Sequence, residues 1–224
     1  SDVKAEFSLF DTAFLDEISK MKEKNIAIEL LKRLLAERVS LYQKTNIVQA
    51  EKFSDLLNRS LSNYLKGLLT NEEVIQELLK LAKEISTSES TINELGLTAE
   101  EKSFYDALTK PQAVHDVYSN EQLVAMTKEL TEALRKNRTI DWQKKESARA
   151  GMRKMIKRLL KKYKYPPEEA SNALETVIRQ CEKWTDNEPD TFSGYENVVK
   201  YDLQENSYSI AAEPEVKYYT KNKD

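Results

Sequence analysis

The chain has 224 residues, 33% of them charged, with four glycines, five prolines, one cysteine and a net charge of −3. That length can bury a core without disulfides or metals. So little glycine and proline speaks for long helices and against a β-sandwich or an α/β enzyme. Cys181 alone cannot form an intramolecular disulfide and reads as an incidental thiol on a helix face, and the Cys and His spacings of zinc sites are absent. No apolar run approaches the roughly 20 residues that span a bilayer. Ser1 to Glu6 lack the apolar stretch of a signal peptide, so a cytoplasmic protein is expected. The chain does not begin with Met, and the expectation is a segment of a longer protein. The sequons at Asn58 and Asn137 then carry no glycan.

In chain order, Phe7 to Met21 reads as a short lead-in helix with Asp11 or Thr12 as its cap. Asn25 is placed as the cap of a second helix whose stripe is Ile26, Leu30, Leu31, Leu34, Leu35, Val39 and Tyr42. Thr45-Asn46 breaks it. A third helix carries Phe53, Leu56, Leu57, Leu61, Tyr64, Leu65 and Leu68, with Gly67 and Thr70-Asn71 at its end. Asn71 is placed as the cap of a fourth, with Glu72 and Glu73 suiting the helix dipole and Val74, Ile75, Leu78, Leu79, Ala82 and Ile85 as its stripe. Ser86 to Ser90 reads as a polar loop. Thr98 and Glu101 form a capping box, with Leu97 as the staple residue, for a helix that stops before Pro111. Another helix spans about Asn120 to Asn137, with Leu123, Thr127, Leu130 and Leu134 on one face. The connector Arg138 to Trp142 leads into a basic helix of about 143–163. Tyr165-Pro166-Pro167 then opens a last helix to about Trp184, prolines being tolerated at a helix start.

The fold class expected is therefore all-α, a bundle or array of about seven to eight helices over 1–184. Residues 185–224 follow as an acidic tail with six aromatics, either a β-hairpin or an extended arm on the body.

The small net charge conceals segregation. Residues 135–164 hold 13 Lys or Arg and two acids, +11 in all, whereas 185–224 carry −5 and the remainder −9. On the basic helix, Met152, Met155, Ile156, Leu159, Leu160 and Tyr163 fall in an arc of roughly −60° to +80°. Arg153, Lys154, Lys157, Arg158, Lys161 and Lys162 fill roughly 100° to 280°. With Lys144, Lys145 and Arg149 they form the candidate surface for a partner or for DNA. Three readings stay open: a solvated face balanced by acids of the fold, a seat on an acidic protein surface, and contact with phosphates. No aromatic interleaves the cations, and no Asn or Gln sits at base-reading spacing, so neither base stacking nor sequence readout is indicated. Trp142 is either a core anchor or an interface anchor.

Catalytic signals are missing. His115, beside Asp116, has no second residue to complete a nucleophile–base pair. No phosphate-binding glycine loop or nucleophile elbow occurs. Pro189-Asp190 with Glu215-Val216-Lys217 matches a loose metal-nuclease pattern, but in a polar tail and by a combination common by chance. No catalytic residue, metal site or cofactor is expected in this chain.

Five stretches carry a resemblance. They are Asn25 to Leu35, Val48 to Leu57, Glu73 to Glu84, and Phe104 to Leu108. The fifth joins Asn137-Arg138-Thr139-Ile140-Asp141-Trp142 to Met152-Arg153, Lys157 to Tyr163 and Tyr165-Pro166-Pro167. In this order the chain resembles, over about residues 10–184, the C-terminal helical domain of HsdR, the restriction subunit of type I restriction–modification enzymes. The resemblance implies a parent with a nuclease and two helicase domains, using ATP and Mg, that cuts foreign DNA together with modification (HsdM) and specificity (HsdS) subunits. It implies for this chain a non-catalytic role in docking that motor onto the methyltransferase core. The alternative is a DNA-backbone module that guides duplex to the helicase domains through the basic helix. A monomer is expected for the chain by itself. The resemblance does not extend past about residue 185.

Overall fold

The helices that start at Thr12, Ile47, Asn71, Ala99 and Asn120 begin where a side chain satisfies amides that the first turn leaves unbonded. The structure, a computed structural model, describes residues 11–139 and 142–186, the side chains of 185 and 186 apart. Asp11 caps α1 (Thr12–Lys20). Next come α2 (Lys24–Thr45), α3 (Ile47–Leu65) and α4 (Asn71–Glu94). The second half has α5 (Ala99–Thr109), α6 (Gln112–Val117), α7 (Asn120–Asn137), a 3-10 turn (Trp142–Lys144), α8 (Glu146–Lys162) and α9 (Pro167–Asp186). The described residues are all-α, with no strand among them. The count exceeds the expected seven to eight because the short α6 has no stripe that a sequence can show.

Several expected boundaries move. The second helix starts at Lys24, so Asn25 lies inside it. Thr70 rather than Asn71 caps α4, in a reciprocal box with Glu73. The polar stretch Ser86–Ser90 is helix, and hydroxyls along it bond back to the ladder. Thr87 Oγ1 bonds the Lys83 carbonyl at 2.9 Å and Thr91 Oγ1 the Thr87 carbonyl at 2.8 Å. Glu89 is also held from α2, by the Tyr42 hydroxyl and the Arg38 guanidinium. Burial pushes the Glu89 carboxyl up, against the pull of those two groups. The Thr98/Glu101 box forms as expected, and Ser119 with Gln122 makes a third for α7.

The helices pack around two apolar cores rather than one. The first joins α1 to α4 through Leu31, Leu35, Phe53, Leu78 and Ile85. The second joins α5 to α9 through Phe104, Leu108, Met126, Trp142, Ile156 and Val177. Cys181 sits in this second core rather than on an open face, and burial pushes its thiol up to about 12.

Between the cores runs a polar seam. Asn46 alone separates α2 from α3, and the second bundle clasps it. Gln180, fully buried on α9, accepts from the Ile47 amide at 2.9 Å and donates to the Thr45 carbonyl at 2.8 Å. Asp106 on α5 accepts from Asn46 at 2.7 Å and from Gln49 at 3.0 Å, and pairs with buried Lys102 at 2.5 Å. At the rim, Lys110 and Arg179 converge on Glu51. Partial burial pushes that carboxyl up, but the bonds from the two cations outweigh it and hold it below the ordinary value.

Candidate functional site

The cationic helix is fixed to the second bundle from below and at its C-terminal end. Met152, Ile156, Leu159 and Leu160 of α8 are buried in the core, the apolar arc that the sequence predicts. Past its last turn, Lys164 adopts φ 56°, and the chain closes by Tyr165 N to the Leu160 carbonyl (2.8 Å) and Lys164 N to the Lys161 carbonyl (3.0 Å). This is a Schellman end, which usually takes glycine at the left-handed position. Tyr165 then reaches α5, its hydroxyl donating to the Leu108 carbonyl at 2.6 Å. The neighbouring Tyr163 hydroxyl donates to Glu129 of α7 at 2.7 Å.

The cations divide into flanks and crest. On one flank Arg153 pairs with Glu175 of α9. Nearer the start of α8, Arg149 pairs with Glu182 at 2.5 Å. On the other flank Lys162 binds Glu129 at 2.6 and 2.8 Å. The Lys162 and Tyr163 hydrogen bonds hold Glu129 below the ordinary carboxylate value, and the Arg153 bond does the same for Glu175.

Along the crest, Lys154, Lys157, Arg158 and Lys161 are all exposed. No carboxylate among the described residues forms an ion pair with any of them, although Lys157 lies within electrostatic reach of Glu175. Their spacing makes four like-charge neighbours at i,i+3 or i,i+4 on one face. Each such neighbour costs about 0.2–0.5 kcal/mol at low salt. Among the described residues, carboxylates thus pair with the two edges of the ridge and with none of the crest cations.

The remaining predicted residues lie elsewhere. Lys144 and Lys145 are exposed but precede α8, Lys145 standing at its cap position. Trp142 is 0% exposed in the second core, so its ring offers no surface to a partner and the core-anchor reading holds. His115 is exposed at the end of α6. Among the described residues no group of three or more His, Cys, Asp or Glu is placed to hold a metal ion. The nuclease-like pattern at Asp190 and Glu215 lies outside the described residues.

A second exposed feature escaped the sequence reading. Leu65 and Leu68, expected in the stripe of the third helix, are 84% and 68% exposed. The helix stops at Leu65, and Gly67, at φ 71°, turns the chain away from the core. The neighbouring end of α2 is tied to this corner by Asn71 and Asn25 at 3.4 Å, and its Ile26 is 45% exposed. The glycine after Leu65 was the signal available. Nothing in the sequence marks Glu129, Glu175 and Glu182 as the partners of the flanks.

The described residues form two helical bundles with a strongly cationic face on α8 and exposed apolar side chains at the corner after α3. The chain belongs to the family described as "Type I restriction enzyme HindI endonuclease subunit-like, C-terminal", whose model matches residues 2–187. It is 36% identical over 178 residues to the type I restriction enzyme HindI endonuclease subunit of Haemophilus influenzae, covering 80% of this chain and 17% of that protein. It is 31% identical over 160 residues to the Methanocaldococcus jannaschii protein that carries the name of the MjaIXP endonuclease subunit of a type I restriction enzyme, covering 71% of this chain and 15% of that protein. The chain therefore spans about a sixth of the length of these relatives. No solved structure matches it. Among the described residues, no helix is long and apolar enough to cross a membrane.

Proposed function

We propose that this chain is the assembly domain of a type I restriction endonuclease subunit. In this reading it performs no chemistry. It docks an ATP-dependent DNA translocase and nuclease onto the methyltransferase core of HsdM and HsdS subunits. ATP and Mg are used by the parent protein outside this region.

The observation that carries the reading is the uncovered corner of the first bundle, where Leu65 and Leu68 stand 84% and 68% exposed beside the Gly67 turn. Large apolar side chains left together in solvent mark a surface that another protein covers. Membership of a family defined as the C-terminal part of endonuclease subunits supports the choice of partner class.

The test uses the complete subunit and the methyltransferase complex. Wild type is expected to co-elute with it, and the double variant Leu65→Ser/Leu68→Ser to elute separately at an unchanged Tm. Equal assembly by variant and wild type would sink the reading. The chain alone is expected to show neither ATP turnover nor Mg-dependent DNA cleavage, and either activity would contradict a purely docking role.

A further inference from the structure

We propose that the crest of α8, formed by Lys154, Lys157, Arg158 and Lys161, seats the sugar–phosphate backbone of duplex DNA without sequence preference. The inference is independent of the docking reading, because it concerns a different bundle and different residues.

The edges of α8 are compensated within the fold. Where α8 faces its neighbours, each cation meets a carboxylate: Arg153 with Glu175, Arg149 with Glu182, Lys162 with Glu129. A solvated face balanced by the fold would extend that pattern across the top. Instead the four crest cations are exposed, and none forms an ion pair with a described carboxylate. They occupy two turns, about 10 Å of helix axis at 1.5 Å per residue. That length matches a short run of phosphates, which lie about 3.4 Å apart along the axis on each strand.

Composition decides between phosphates and an acidic protein surface. Centres of protein–protein interfaces are depleted in lysine and are anchored by aromatic residues. The exposed side chains continuing the crest toward the N-terminus are Ser147 and Ala150, with Gly151 beside them, and a Cβ added at Gly151 would meet nothing within 4 Å. No apolar anchor stands there, and the small residues let a strand approach the helix closely. Protein–DNA interfaces are the strongly cationic kind, and their lysines and arginines go chiefly to phosphates. The crest also has no Asn, Gln or aromatic side chain, so it has no means of reading bases or stacking on them.

Fluorescence anisotropy with the full chain and labelled duplexes of two unrelated sequences tests the proposal. The expected result is equal affinity for both, falling roughly 10²-fold between 50 and 200 mM salt if four phosphates are held. Changing Lys154, Lys157, Arg158 and Lys161 together to Gln should weaken binding about tenfold or more and flatten the salt dependence. A control changes four exposed lysines at the first bundle, Lys22, Lys66, Lys80 and Lys83, to Gln, removing the same charge; it should bind within about twofold of wild type. Circular dichroism confirms that both variants stay helical. The proposal is overturned if the chain does not bind duplex at 50 mM salt or if the control loses as much affinity as the crest variant. It is also overturned if one sequence is strongly preferred. Stronger binding of poly-glutamate than of duplex at the crest would overturn it in favour of an acidic protein partner. None of these outcomes depends on Leu65 or Leu68, so failure here leaves the docking reading standing.

Discussion

Among the described residues, three helices end in the same backbone closure, and the two such ends of the first bundle, after α3 and after α4, use it differently. After α4 the left-handed position is Gly96, and the next residue, Leu97, is buried. After α8 that position is Lys164, and Tyr165 is buried. After α3 the position is Gly67, yet the next residue, Leu68, stays in solvent. The first two closures, one from each bundle, turn a side chain into the second core, whereas the third, also in the first bundle, leaves Leu68 exposed. Among the described residues, one bundle thus exposes apolar side chains at a corner and the other exposes charge on a face. Local geometry does not distinguish these ends; the neighbours do.

The largest effects are expected at the seam between the bundles. Asp106→Ala leaves Lys102 without its ion pair, and Asn46 and Gln49 without an acceptor. A loss of about 3–5 kcal/mol is expected, measured by urea unfolding, because removing one member strands a buried charge. Gln180→Leu frees the Ile47 amide and the Thr45 carbonyl and should cost about 1–3 kcal/mol. If the two cores are coupled chiefly by this clasp, calorimetry of that variant resolves two transitions where wild type shows one. A single sharp transition would mean that apolar contact across the seam suffices.

Lys164→Gly sharpens the contrast among the three ends. It removes a side chain from φ 56° and should stabilise the second bundle by about 1 kcal/mol in thermal melts. The smallest effect expected is that of acid on the flanks. Glu129 and Glu175 have folded values held below 4.5 by Lys162 and Arg153. Their contribution is present above the ordinary value of 4.5 and is lost as pH falls through the lower folded value. Both pairs are partly exposed to solvent, so the loss is small. Glu129→Gln/Glu175→Gln should flatten the acid side of the Tm profile, and an unchanged profile would assign the acid sensitivity to other carboxylates.

Much of the fold was legible because helix signals are local. The stripe Leu123, Thr127, Leu130, Leu134 is buried as read, and the Thr98/Glu101 box forms. The misreadings occur where tertiary contact overrides composition. Ser86 to Ser90 reads as loop but is helix, because Glu89 is held by Arg38 and Tyr42, distant in the chain. Leu68 reads as core but is exposed, because the turn at Gly67 carries it past the end of the bundle. For the surface, the sequence places six cations on one side of α8 and cannot say which of them the fold neutralises.

The amino-acid order by itself determined the helices, their caps and the amphipathic character of α8, since these depend on residues within a turn or two of one another. Tertiary structure alone decided that the helices form two cores clasped at Asn46, and that Trp142 is buried. It alone brought Glu129, Glu175 and Glu182 to the flanks of α8. Each of these rests on carboxylates and cavities that approach from other helices, at separations that no local periodicity encodes.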